Sequence, residues 1–345
     1  MHKKISRKKF IADSFVTGAG VLLLPRFIAE EEEIAMTVNG AIHAQQMGFT
    51  LTHEHVMADF IGAEKFSKDR YNADEVFNTA LPFVKDAKAK GVDTFIDCTP
   101  AYLGRDASIL KRLSDAVSIN MLTTTGYYGA VNEKFVPKHA YLETAQQLAD
   151  RWIAEWNHGI EGTSIKPGLI KTSTDKGPLT PMQRKLIQAA GITHLSTGLT
   201  IAVHSGNGTA AFEQLEILKE QGVSPSARIW VHAQNETNKE MHIRAGKLKT
   251  WVSFDGVNPD TLQTNLDHLK TMKEHNLLEQ VLVSQDSGWY NVGDPKGGNF
   301  KPYTCVITQF IPLLHENGFT QNEIDLIFKK NPAKAFAIRV RKIAN

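Results

Sequence analysis

Eight short apolar runs spaced along residues 49–286 of this 345-residue chain constrain its fold more than any other feature. They cover residues 49–56, 94–100, 120–127, 167–172, 199–204, 228–232, 250–255 and 280–286. Each is rich in Ile, Val, Leu or Phe and bounded by turn residues, the pattern of strands buried on both faces. Between them lie stretches with apolar residues at helical spacing. Residues 74–90 carry Val76, Phe77, Ala80, Leu81, Phe83 and Val84, with Pro82 as a candidate kink. Residues 143–156 and 181–190 read the same way, and Gly222 and Gly246 fit helix stops. Eight strands, each followed by a helix, predict an α/β fold of the (β/α)8 TIM-barrel type. An open doubly wound sheet would want a glycine-rich turn after the first strand. That position instead reads Thr52-His53-Glu54-His55. No linker interrupts residues 30–345, which read as one barrel domain. Residues 287–302, rich in Gly, Pro and Asn, read as a long loop over the barrel mouth.

Polar, metal-competent residues end five of the eight runs: His53 and His55, Lys171, His204, His232 and Asp286. Barrel enzymes build their sites at that end of the strands, so six ligands far apart in sequence are predicted to converge. Residues two apart on a strand face one side, which turns His53 and His55 inward and Glu54 away. Paired imidazoles suit zinc. His194, His242, His268 and His315 fall in helical stretches and read as ordinary satisfied side chains. Cys98 and Cys305 form no Cys-x-x-Cys pair and read as small buried residues.

Lys171 ends a buried strand, where an unpaired ammonium is costly. Three readings follow: a partner for a carboxylate, a neutral amine that forms a Schiff base, or an amine that takes up carbon dioxide as a carbamate bridging two cations. Tyr127 and Tyr128 follow the third strand, Arg105 the second and Trp289 the eighth, which makes each a candidate substrate contact as well as a candidate for plain packing.

Charge narrows the partners. Residues 1–26 carry six basic residues against Asp13, a balance of +5, so a chain of net +2 leaves −3 for the rest. A slightly acidic body without a basic stripe excludes nucleic acid as the main partner. No apolar run is long enough for a stable membrane span. Residues 1–29 read instead as an export signal, basic first and apolar from Phe15 to Leu24. Ser6-Arg7-Lys8-Lys9-Phe10 resembles a twin-arginine motif with lysine at the second place, which predicts export to a bacterial periplasm.

The ordered set of segments resembles the phosphotriesterase-related family of the amidohydrolase superfamily. The matching stretches are residues 36–40, 48–55 and 168–171, Val203-His204, the strand ending at His232, Val283-Ser284-Gln285-Asp286 and Asn331-Pro332-Ala333. The resemblance implies two divalent metal ions, zinc by default. His53, His55 and Asp286 would hold the more buried ion, and His204 and His232 the more exposed one. Carbamylated Lys171 and a hydroxide would bridge them. The hydroxide would attack the substrate, and Asp286 would carry the proton onward. Relatives tend to dimerise, which implies a homodimer. Organophosphate-hydrolysing members pass the proton through an Asp and a His after strands six and seven. Here Glu236 and Asp255 are the candidates, and Gly256 stands where the His is sought. The complete ligand set with a divergent relay predicts hydrolysis of a carboxylic ester or lactone, with phosphotriesters as the alternative substrate. An exported binding protein with a relic metal site is the non-enzymatic reading.

Overall fold

A computed structural model describes residues 33–343, so the export reading of residues 1–29 lies outside the described residues. An antiparallel hairpin of β1 (Ile34–Thr37) and β2 (Gly40–His43) opens the fold. All eight apolar runs then form strands: β3 (Thr50–Ala58), β4 (Thr94–Asp97), β5 (Asn120–Leu122) with β6 (Thr124–Thr125), β7 (Leu169–Thr174), β8 (Thr200–Ser205), β9 (Arg228–Val231), β10 (Trp251–Phe254) and β11 (Val281–Val283). Every pairing among them is parallel.

The ladder runs from β3 through β4 to β5, and from β6 through β7, β8, β9 and β10 to β11. β5 and β6 are one extended segment interrupted at Thr123. At the opposite seam, Asp286 N–H donates to His53 O at 3.1 Å and His55 N–H to Ser287 O at 3.0 Å. Those two bonds tie the last strand segment to the first, as a TIM barrel requires.

Three helix layers cover the wall. Helices α1 (Ala73–Ala89) and α2 (Ala107–Val117) pack over β3–β5 through Val76, Val84, Leu110 and Leu113. Helices α3 (Lys138–Leu142), α4 (Ala145–His158), α5 (Pro181–Thr197) and α6 (Gly208–Glu220) cover β7 and β8 through Trp152, Leu186 and Leu218. Helices α7 (Lys239–Lys247) and α8 (Leu262–Glu274), with residues 306–336, cover β9–β11. Pro82 lies inside α1 without ending it. Gly222 stands just beyond α6, as expected of a stop, but α7 runs through Gly246. A Cβ at Gly246 would lie 3.1 Å from both Leu277 and Met272, so close packing explains that glycine.

Two departures from the strand pattern shape the site. Residues 287–302 are not simply a loop: β12 (Gly288–Asn291) pairs in parallel with β3 as a ninth strand. The second departure is a register shift in β3 between Leu51 and Glu54. Leu51 and Val56 both pack in the outer layer with Phe95, although strict alternation would set them on opposite faces. The irregularity absorbs the mismatch and leaves His53 and His55 facing inward, a known use of bulges beside active sites.

Candidate metal centre and its pocket

The inner faces of the strands decide what reaches the barrel mouth. Leu169 on β7, Ala202 on β8 and Ile229 with Val231 on β9 fill the lower barrel. Two residues further along the same inward face, β7 presents Lys171 and β8 presents His204. His232 and Asp286 follow β9 and β11, both with left-handed backbone, φ 60° and 51°. Non-glycine residues in that region cost about 1 kcal/mol or more each and persist where surrounding contacts enforce them. All six sequence-predicted ligands line one pocket of about 230 Å³ with Phe60, Leu103, Tyr128, Val131, Lys134, Phe135 and Trp289.

The Nε2 atoms of His53 and His55 are 3.2 Å apart. Asp286 Oδ1 lies 3.1 Å from His55 Nε2 and 3.7 Å from His53 Nε2. Asp286 Oδ2 is 4.0 Å from His232 Nε2, and the His204 and His232 rings are 4.5 Å between centres. The opposite edges of the rings fix the tautomers. Thr99 Oγ1 donates to Met57 O, so it accepts from His55 Nδ1 at 2.7 Å. Asp255 accepts from His53 Nδ1 at 3.1 Å and from His232 Nδ1 at 2.6 Å. These bonds leave three Nε2 lone pairs turned toward the pocket, the form in which imidazole binds a metal.

Electrostatics favour neutral imidazoles at His53 and His204, beside two carboxylates. Burial, reinforced by Lys171, brings His53 down to about 3. Burial and the neighbouring His232 hold His204 well below its ordinary range. His232 is raised: burial opposes its charge, but the Asp255 carboxylate outweighs that. Asp255 is itself held well below the carboxylate range, since His232 and His53 override its burial. Asp286 is likewise lowered by His53 and His55 against the effect of burial.

Lys171 is 1 % exposed, and its Nζ has no hydrogen-bond partner among the described residues. A buried ammonium without a partner costs several kcal/mol. That removes the carboxylate-partner reading of this lysine. An unpaired amine among three Nε2 lone pairs, His204 and a carboxylate fits a divalent metal centre. His53, His55 and Asp286 form one group of ligand atoms within reach of a single ion. His53, His232 and Asp255 form a second such group, but there the hydrogen bonds already account for the contacts.

Two residues that the sequence did not mark as supports organise this arrangement. Asp255, a candidate proton carrier in the sequence, is 0 % exposed and serves as the common support of two histidines. Glu54 does point away from the mouth, and it holds the turn that carries Asp286. It accepts from Ser284 Oγ at 2.7 Å, Ser287 N–H at 2.7 Å and Gln285 N–H at 3.2 Å. Burial raises its carboxyl to about 8 despite these donors. A carboxylate on the outward face of an otherwise wholly buried strand is the signal that flags it. The other relay candidate, Glu236, instead accepts from Gly208 N–H and Asn238 N–H and ties two loops together.

The predicted substrate contacts divide. Tyr128 lines the pocket, its hydroxyl 3.0 Å from His204 Nδ1. Trp289 forms a wall, 4.0 Å between ring centres from His55, with its indole N–H donating to Asp286 O. Tyr127 does not line the pocket: it pairs with His139 and packs on Trp152. Arg105 is also elsewhere, held by Glu155 at 2.6 Å and Glu161 at 2.9 Å beside a separate cavity. Consecutive residues after a strand turn to opposite sides, which places Tyr127 and Tyr128 in different surroundings. Cys98 is buried as expected, its thiol pushed up to about 12.

Known proteins resemble this chain over most of its length. The chain is 29 % identical to a phosphotriesterase homology protein of Escherichia coli K12, covering 84 % of this chain and 98 % of that one. It is 28 % identical to an aryldialkylphosphatase of Saccharolobus solfataricus, covering 88 % and 99 %. It is 25 % identical to the human N-acetyltaurine hydrolase, covering 86 % and 95 %. A sequence model of the phosphotriesterase family matches residues 34–336, so the chain belongs to the phosphotriesterase family.

Proposed function

We propose that this protein is a binuclear metal-dependent hydrolase of carboxylic esters or lactones. One observation carries the reading: the partnerless amine of Lys171 in one pocket with four histidines and Asp286. In this reading the neutral amine of Lys171 would add to carbon dioxide and release one proton, giving a carbamate whose oxygens would serve as metal ligands. His53, His55 and Asp286 would hold one ion, and His204 and His232 the other. Two divalent cations, zinc by ligand type, supply an acidified water and a polarising charge for a substrate oxygen. The chain supplies the rest. Asp286, an anion near neutral pH, receives a proton at a carboxylate oxygen. The Tyr128 hydroxyl is placed to donate to a substrate oxygen. Phe60, Phe135 and Trp289 keep the pocket largely apolar and exclude water.

The relatives' names span phosphotriester and amide substrates, so both belong in the assay beside esters and lactones. Metal analysis of wild type and Lys171→Ala tests the core of the proposal. The variant should lose at least one of two ions, and full retention would refute the carbamate bridge. Wild type holding two ions yet inert across the four substrate classes would favour a binding protein with a relic metal site. Export of the chain belongs to the same proposal, and recovery of the protein solely from the cytoplasmic fraction of its bacterial host would remove it.

A further inference from the structure

The pocket holds one charged side chain that is not among the six candidate ligands. Lys134 lines it at the rim, among Phe60, Leu103, Val131, Phe135 and Trp289. Its Nζ lies 5.6 Å from the centre of the Phe135 ring, and no ion pair forms there among the described residues. The neighbouring acids are committed elsewhere. Glu133 accepts from Thr180 Oγ1 and Tyr141 Oη. Asp175 accepts from Val131 N–H at 2.8 Å, Asn132 N–H at 3.2 Å and Gln183 Nε2 at 2.9 Å.

The backbone that presents Lys134 is unusual. Val131, Asn132 and Glu133 form a run of three non-glycine residues with φ 59°, 53° and 62°. One left-handed turn of this kind costs about 1 kcal/mol or more per residue. The Asp175 contacts and a bond from Ala63 N–H to Lys134 O at 3.0 Å hold it in place. The stem of Lys134 passes Gly62, where a Cβ would sit 3.2 Å from Lys134 Cγ. A costly, braced turn thus carries a single unneutralised cation to the rim of an apolar pocket. Lys134 is itself exposed, so its charge at the rim is open to a bound molecule.

We propose that Lys134 binds an anionic group of the substrate, a carboxylate or sulfonate remote from the bond that is cleaved. This rests on the hydrolytic reading of the same pocket and favours anionic substrates over neutral ones. Neutral phosphotriesters lack the required group.

Two measurements separate this proposal from the one it rests on. Binding of benzenesulfonate and of neutral methyl phenyl sulfone to the metal-loaded protein is followed through tryptophan fluorescence, in wild type and in Lys134→Met, which keeps the stem. Sulfonates are weak metal ligands, so the comparison reports on the rim. Lys134→Met should weaken benzenesulfonate about fivefold, leave the sulfone unchanged, and be rescued by Lys134→Arg. Equal effects on both probes, or none on benzenesulfonate, overturn the proposal whatever the catalytic outcome. Hydrolysis of aryl esters with and without a distal carboxylate then reads turnover. Wild type should prefer the charged ester through KM, and that preference should vanish in Lys134→Met.

Discussion

Replacing Asp255 by Asn should weaken metal binding about 10- to 100-fold at one of the two ion positions, and much less at the other. Asp255 is isosteric with Asn but accepts at both oxygens, one for His53 Nδ1 and one for His232 Nδ1. An amide has only one acceptor oxygen. Whichever imidazole meets the amide NH2 must turn its lone pair toward Asn, which moves its proton to Nε2 and blocks the ligand atom. Losing one charge-assisted bond costs about 1.5–3 kcal/mol, equivalent to roughly 10- to 100-fold. Loss of an outer partner of a metal-bound histidine typically has the same size. The His232 bond is the shorter, at 2.6 Å against 3.1 Å, and His232 also turns its backbone N–H to both carboxylate oxygens. The oxygen should therefore stay with His232 and the mismatch fall on His53. Titration with a chromophoric chelator, read as two separate dissociation constants, makes the check. Two constants within threefold of wild type would refute the shared-support argument.

Glu54→Ala should destabilise the fold by about 3 kcal/mol, because it strands a buried hydroxyl and two buried N–H groups, and urea unfolding measures it. Activity should fall further than stability explains, since the turn bearing Asp286 loses its anchor. Arg105→Met should also cost about 3 kcal/mol by leaving Glu155 without its cation and Glu161 with Lys68 alone. Its kcat/KM should stay near wild type below the unfolding transition, because Arg105 stands outside the metal pocket; a selective rise in KM would contradict that placement.

The barrel was legible because each strand is buried on both faces and must be a continuous apolar run. The ligands were legible because polar residues at the ends of such runs have few ordinary explanations. Roles set by orientation within loops were not. Tyr127 sits as close to a strand end as Tyr128 does and Arg105 lies further along its loop, yet Tyr127 and Arg105 share a different cavity. Glu54 was placed on the proper face, but its partners lie some 230 residues away and leave no local trace. β12 was hidden because Gly, Pro and Asn around it suggest a loop, whereas its pairing comes from β3. Gly246 imitates a helix stop, although its cause is a distant leucine and methionine.

The pairing of β12 with β3 bears on how such a chain acquires new substrates. Gly288 approaches the His55 carbonyl so closely that a Cβ would fall 1.8 Å from that oxygen. Insertions or deletions between residues 287 and 291 would disturb the strand that bears both inner histidines. The 131–135 rim carries no ladder to a ligand-bearing strand, though it faces the same cavity. Laboratory evolution for altered selectivity should accordingly collect its changes at that rim, leaving the catalytic apparatus intact while the range of accepted molecules drifts.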